Sequence, residues 1–429
     1  MVAKPAPQAN ATQTWRQWIE PWYLVYALLG AIAAGLIPVL LPLIASQGSS
    51  AAQVGLVVAA VSLGGLTAPA WGSLADRYRL HRWLLIGGLL VITVSLAGIA
   101  LTANPVFRFI FALLEGTGAA GAATVANLFV VEAHPKQEWD ERIGWLQTFY
   151  GIGQVGGLLL AGVLAQAGLQ AGMLVTAALG AVAVLLAWLT AHTPPSSAQA
   201  KPVLLHPALH GEWTSSSPQR LFHHLDLKAW KKLGGYLVSP FGLFLLVWML
   251  TFAGPAAVFS QYPVLMQQEF GVTPGVSSAA FAVAAGLGLA LYSPAGAWSR
   301  QIGSWRLLRI SWIVRLVAAV SLVGLGFRGS TLSGWLALLA FAVIVLAWSA
   351  ISVAGTALAA RLSSAGEGEG LGIFNAATAL AGVAGAILGG WAAGIWGYNS
   401  LAVLGVLGVA IGLLISLFSV QNKGESDET

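Results

Sequence analysis

Twelve long, nearly uncharged apolar runs leave this chain one class of fold. They fall at 22–46, 52–75, 83–103, 105–131, 143–166, 171–192, 240–265, 275–299, 307–326, 332–360, 368–394 and 398–419. Lipid offers the backbone no hydrogen-bond partner, so a segment crossing ~30 Å of hydrocarbon must satisfy its own amides as a helix. Strands of a membrane barrel would alternate apolar and polar residues over about ten positions, and these runs do not. Apolar residues make up 57% of the 429 and charged residues only 8%, so a water-soluble fold could not cover the apolar surface. The expectation is an all-α integral membrane protein with twelve spanning helices.

Charge sets the expected orientation. With the N-terminus cytoplasmic, 17 of the 20 Lys and Arg residues lie in inside segments, leaving Arg108, Arg315 and Arg328. That distribution follows the positive-inside rule, so both termini are expected in the cytoplasm and the protein in the plasma (inner) membrane. Basic residues spread over membrane-edge loops suit lipid headgroups rather than nucleic acid. The chain has no cysteine, which removes disulfides and thiol chemistry. Residues 1–21 hold no apolar run and read as a cytoplasmic tail.

One long connection, 193–239, divides the runs into six and six. The expected organisation is a tail at 1–21, a six-helix bundle at 22–192, a cytoplasmic linker at 193–239, a second bundle at 240–419 and a tail at 420–429. Within the linker, Gln219 to Leu233 reads as an amphipathic helix with Leu221, Leu225 and Leu233 roughly on one side. His206, His210, His223 and His224 have no acidic or cysteine companions at ligand spacing, so no metal site and no cofactor are expected.

The two halves echo each other. Gly72 to Arg82, GSLADRYRLHR, has a partial copy in Gly296 to Arg306, GAWSRQIGSWR. Residues 143–162 match 371–390, placing Gly144 on Gly372, Gln147 on Asn375, Gly157 on Gly385 and Gly162 on Gly390. Repeated halves are the sequence mark of many secondary transporters, which bind substrate near midplane between the repeats.

The turn after the second run resembles the signature G-x-L-A-D-R-x-G-R-R/K of the major facilitator superfamily (MFS). Gly72, Leu74, Ala75, Asp76 and Arg77 match in order, whereas Arg79 and Leu80 depart from it. The resemblance implies two pseudo-symmetric bundles and a latch in which Asp76 faces the start of the eleventh helix. By the same resemblance Arg77 or Arg82 pairs with Glu132 at the inner end of the fourth helix. In the fifth helix Gly153, Gly157 and Gly162 match the antiport motif G-x-x-x-G-P-x-x-G-G, with Leu158 in place of its proline and Ala161 in place of a glycine. The chain is most similar to the twelve-helix drug:proton antiporter branch. Small residues at that spacing also let helix backbones approach closely.

Three ionisable residues fall clearly within the runs, and intramembrane charges are functional candidates. Arg315 lies about two turns into the ninth helix and is expected to snorkel to the inner headgroups, since the resemblance places that helix at the periphery. Glu115 lies ten residues past Pro105, so it sits about 15 Å deep, beyond reach of either interface. A carboxyl that alternates between dry and wet surroundings binds and releases a proton as access changes, which makes Glu115 the expected coupling residue. Arg108, two turns earlier, is expected near the outer mouth beside it, as a residue of the substrate cavity.

By resemblance, the first, fourth, seventh and tenth helices line the cavity with Tyr26, Asn127, Trp248, Gln261 and Trp348. The fifth and eleventh add Gln147, Tyr150, Gln154 and Asn375. Aromatics, amides and one carboxylate suit small amphiphilic organic molecules, cations among them.

Gly151, Gly153 and Gly156 spell G-x-G-x-x-G inside an apolar run, where no dinucleotide fingerprint operates. No nucleotide-hydrolysis site and no midplane acid pair is present, so no enzyme is expected. The expected function is proton-coupled efflux of small amphiphilic compounds by a functional monomer. The alternatives are uptake or facilitated passage of a sugar or organic acid, and a receptor with a transporter fold.

Overall fold

The computed structural model describes residues 19–78, 80–134, 138–191, 239–326, 331–363 and 367–419. The amphipathic linker segment and its histidines lie outside these residues. Among the described residues, twelve helices are long and apolar enough to cross a membrane: α1 (Tyr23–Ser46), α2 (Ala51–Gly72), α3 (His81–Leu101), α4 (Pro105–Val130), α5 (Arg142–Ala167), α6 (Leu169–Thr190), α7 (Pro240–Ser260), α8 (Pro274–Ile302), α9 (Ser304–Gly326), α10 (Leu332–Leu362), α11 (Gly372–Trp396) and α12 (Asn399–Leu417). The described residues contain no strand.

Local chemistry starts the helices where the apolar runs begin. Ser50 and Gln53 form a capping box at the head of α2, with Gln53 N–H donating to Ser50 Oγ at 3.3 Å. Asn104 and Ser239 accept from Val106 N–H and Gly242 N–H, and each is followed by a proline whose missing N–H costs the helix nothing there. Gly271, at φ 63°, ends the short helix Tyr262–Phe270 in the left-handed conformation.

Two of the expected runs are interrupted. The second breaks at Leu66–Thr67, because Pro69 cannot donate back to Gly65 and the chain turns through Thr67 N–H to Gly64 O at 3.1 Å instead. The seventh, expected to reach 265, ends at Ser260; Gln261 leaves the helical region and the chain restarts as Tyr262–Phe270. A third irregularity lies inside α1, where Ala31–Leu36 is a π segment and Ile37 N–H reaches Ile32 O, five residues back. Pro38 and Pro42 follow it, and prolines also interrupt the ladders of α7 at Pro255 and of α8 at Pro294.

Helices α1–α6 pack among themselves and α7–α12 do likewise; the two sets meet chiefly where α2 crosses α11 and α5 crosses α8. The repeated glycines account for this arrangement. Gly157 of α5 packs on the Ala31 backbone of α1, and its counterpart Gly385 of α11 packs on the Ala253 backbone of α7. Gly162 of α5 meets Gly275 of α8, and its counterpart Gly390 of α11 meets Gly55 of α2. The first matched pair therefore makes equivalent crossings within each half, and the second makes equivalent crossings between the halves. At the pair Gly144 and Gly372, at the other ends of α5 and α11, an added Cβ would meet none of the described residues within 4 Å.

The inter-half contacts are thus concentrated on the face away from the termini, here called the distal face. The apolar core repeats this asymmetry. One cluster runs from the first half into Val258, Tyr262, Phe281 and Phe341 of the second, near the distal face. A separate cluster around Phe244, Trp248, Trp312 and Phe374 fills the second half near the terminal face. The core is continuous across the halves on one side and divided on the other.

Candidate transport cavity

Between the halves at midplane lies a cavity of about 400 Å³. Its walls come from α1, α2, α5, α7, α8, α9, α10 and α11. The π segment and prolines of α1 contribute Ala33, Ile37, Pro38 and Pro42, and α7 contributes Phe252, Pro255 and Phe259. Phe281 and Trp348 add further aromatic surface. Polar groups are few: Ser62, Gln154, Ser260, Tyr292, Ser349 and Arg315. Apolar walls with a handful of convergent polar groups are what a site for a small organic molecule needs.

Arg315 is the residue that sequence reasoning misplaced. It does not snorkel: it is 2% exposed, and its guanidinium reaches into the cavity from α9. One Nη donates to Ile344 O at 3.3 Å, the guanidinium carbon stands 5.7 Å from the Trp348 ring centre, and Nε has no partner. A signal for this was present. Arg315 shares a helical stripe with Leu308, Ser311, Trp312, Ala319 and Leu322, all buried, whereas Ile310, Ile313, Val314, Val317 and Val320 face outward. β-Branched residues on the opposite stripe mark the lipid side, and the arginine is not among them.

Of the sequence-derived cavity residues, Gln154 and Trp348 stand on the wall. Trp248 lies behind Trp348, ring centres 6.1 Å apart, fully buried with its indole N–H on Thr378 Oγ at 2.8 Å. Gln261 is also buried and ties the halves together on the distal face, donating to Ala51 O at 3.2 Å. Beside it, Tyr262 stacks on Phe341 and donates to Ser277 O at 3.0 Å; burial raises its hydroxyl pKa, so it stays a donor. Asn375 is exposed on α11.

Three more are brought together inside the first half. Asn127 of α4 and Gln147 of α5 both point an amide at the Tyr26 hydroxyl of α1, at 3.5 and 3.4 Å, and bond each other at 3.4 Å. The Tyr150 ring sits 5.1 Å from that of Tyr26. Gln147, Tyr150 and Gln154 follow an i, i+3, i+7 spacing, so one stripe of α5 leads from this cluster to the cavity wall.

Glu115 is 1% exposed, and neither carboxyl oxygen has a hydrogen-bond partner. Its neighbour Gly116 packs on the Val61 backbone, and Val61 is a wall residue, so α4 stands one helix behind the cavity and Glu115 is not on the wall. It is within electrostatic reach of Tyr150. Leaving a carboxyl buried and unpaired is costly, and a neutral, protonated form is one way to lower that cost.

Arg108 corrects an expectation. It is not at the cavity: Nε donates to Thr102 O at 2.9 Å and an Nη to Ile44 O at 2.8 Å. It thereby caps the carboxyl ends of α3 and α1, where helix dipoles favour a cation. Arg82 donates to Trp188 O at 2.7 Å, at the carboxyl end of α6. The side chains of Asp76, Arg77 and Glu132 lie outside the described residues. Among the described residues, the nearest atom to a Cβ at Gly72 is Thr124 Cγ2 at 3.6 Å, an ordinary contact.

Two helical bundles that share a midplane cavity and close on one face define a membrane transporter. The chain belongs to the Major Facilitator Superfamily, whose model matches residues 22–352. It is a multi-pass membrane protein of a transporter family. A stretch of 166 residues is 32% identical to the tetracycline resistance protein, class C, of Escherichia coli, covering 37% of this chain and 41% of that one. The chain thus spans about two fifths of the length of this curated relative.

Among solved structures, a bacterial homologue of the human lysosomal transporter Spinster superposes with a TM-score of 0.71 at 15% identity, covering 95% of this chain and 97% of that one. A D-xylose-proton symporter gives 0.69 at 17%, over 97% and 100%. The nucleoside transporter NupG gives 0.68 at 13%, over 92% and 96%. At these identities the likeness is one of fold.

Proposed function

We propose that this protein is a secondary transporter that exports small amphiphilic organic compounds by alternating access, coupled to protons through Glu115. The observation that carries the reading is the asymmetry around the midplane cavity: tight glycine crossings on the distal face, a divided core on the terminal face. Two bundles joined in this way can rock about the cavity and exchange one closed face for the other. In this reading the termini and the open side are cytoplasmic, the membrane is the plasma (inner) membrane, and the monomer is the working unit. Residues 22–192 and 240–419 are the moving bundles, and Asp76, Arg77 and Glu132 form the latch that closes the terminal face in the other state.

Proton coupling is supported by a midplane carboxyl without a partner, near Tyr150 and on the helix that packs behind the wall. Efflux is supported by the partial likeness to the tetracycline resistance protein. The test is transport in proteoliposomes, with and without an imposed pH gradient, for a panel of neutral, cationic and anionic amphiphiles. Substrate movement that accelerates the collapse of the gradient supports antiport. Movement indifferent to the gradient removes the coupling and leaves a facilitator.

A further inference from the structure

Arg315 has more hydrogen-bonding capacity than the protein uses. A guanidinium carries five N–H donors in a planar fork. Here one donor meets Ile344 O at a long 3.3 Å, Nε meets nothing, and the ring of Trp348 covers one side at 5.7 Å. No carboxylate pairs with it; the described ion pairs all lie around Glu20, Glu138, His134 and Arg142 near the terminal face. Among the described residues of the cavity wall it is the one charged side chain, and no acidic one stands there.

A buried, unpaired cation facing a drug-sized cavity is costly unless something supplies the missing charge. The planar fork selects what that is, since it matches two oxygens of a carboxylate or sulfonate side by side. The remaining wall is aromatic and aliphatic, with Phe252, Phe259, Phe281 and Trp348 offering flat faces.

We propose that the cavity selects organic anions: molecules with one carboxylate or sulfonate on an aromatic body, the anionic end on Arg315 and the ring against Trp348. This rests on the reading of the central cavity as the transport site. It reverses the charge preference expected from the sequence, which counted Glu115 as a wall residue. That carboxyl is not on the wall, and the arginine is.

Two measurements test the assignment. The chain has no native cysteine, so Ser62→Cys on the wall gives a single thiol whose reaction rate reads the local field. An anionic thiosulfonate should label it several-fold faster than a cationic one of similar size, and adding Arg315→Gln should abolish that bias. Equal or reversed rates, a bias that survives in Arg315→Gln, or a thiol that reacts with neither reagent would overturn the proposal.

The second measurement is binding in lipid nanodiscs of 2-naphthoate, its neutral amide and 2-naphthylmethylammonium. Wild type should bind the acid about tenfold or more tightly than the amide, the effect of one charge-assisted pair. Arg315→Gln should level the two, and Arg315→Lys should keep part of the difference. An ammonium probe that binds best would refute the anion preference. Decanoate, an acid of the kind a membrane supplies, should bind more weakly than naphthoate; the opposite order would refute the aromatic part. Labelling bias without transport in proteoliposomes would instead fault the transport reading and leave the anion site standing.

Discussion

Gly390 of α11 lies directly against Gly55 of α2, so that a Cβ added to either would stand 2.8 Å from the other's Cα. No rotamer relieves such a clash, because the obstacle is backbone. Gly55→Leu should therefore prise the distal face apart and shift the population toward the state open on that side. Thiol labelling of single cysteines placed beside Gln261 and, separately, on the Gln147 stripe should show the first speeding up and the second slowing. No change in either rate would mean that this crossing does not control closure.

Arg108 holds the ends of α1 and α3 through two carbonyls. Arg108→Met should lower stability by about 2–4 kcal/mol, from two hydrogen bonds to a charged group, while leaving substrate affinity nearly unchanged. Thermal unfolding in detergent beside a binding isotherm separates the two. A loss of affinity with unaltered stability would return Arg108 to the binding machinery.

Glu115→Gln should fold normally and lose the link to protons. A pH-sensitive dye trapped in proteoliposomes should report substrate-driven proton movement for wild type and none for the variant. Coupling retained in the variant would exclude Glu115 as the proton site.

The two neighbouring tryptophans should behave differently. Trp248 is buried behind the wall with its indole satisfied, so Trp248→Ala should destabilise by about 3–5 kcal/mol. Trp348 lines the cavity, so Trp348→Ala should weaken ligand binding more than it lowers the unfolding temperature. Equal effects of both substitutions on stability and binding would show that the wall does not end at Trp348.

The Tyr26 hydroxyl accepts from two amides on two helices. Tyr26→Phe should cost about 0.5–1.5 kcal/mol in stability, since it removes one acceptor from amides that keep other partners, and Asn127→Leu in that background should cost less than it does in wild type. A double-mutant cycle by thermal unfolding measures this; strictly additive losses would mean the three groups do not act together.

The helices were legible because apolar length is read directly from the chain, and Ser50, Asn104 and Ser239 mark their starts. The breaks were less legible. Pro69 is visible, but a proline two residues into a turn and one that merely kinks a helix look alike until the carbonyl it abandons is located. The burial of Glu115 was legible, because the helix does start at Pro105 and ten residues carry it well inside the bundle. Which way a residue points is a separate matter. Arg108 and Arg315 were judged from nearness to an interface, whereas their partners, Ile44 and Ile344, are 64 and 29 residues away in sequence and belong to other helices. The stripe of α9 did carry the orientation of Arg315, in the contrast between Ser311 and Ala319 on one side and the isoleucines and valines on the other.

Pro38, Pro42 and Pro255 stand on the cavity wall, and Pro294 lies two residues beyond Tyr292 in α8. Each leaves a carbonyl one turn earlier without its usual amide. The wall helices are therefore already articulated at the level where the molecule must flex, and a tilt at one of these joints need not sever a regular ladder bond that proline has already removed. The stiff segments are the glycine-packed ends, and the compliant ones are at the centre. Movement on the scale of a whole bundle can then be shared among several small bends placed around the bound molecule, so that the walls close on it as the halves swing.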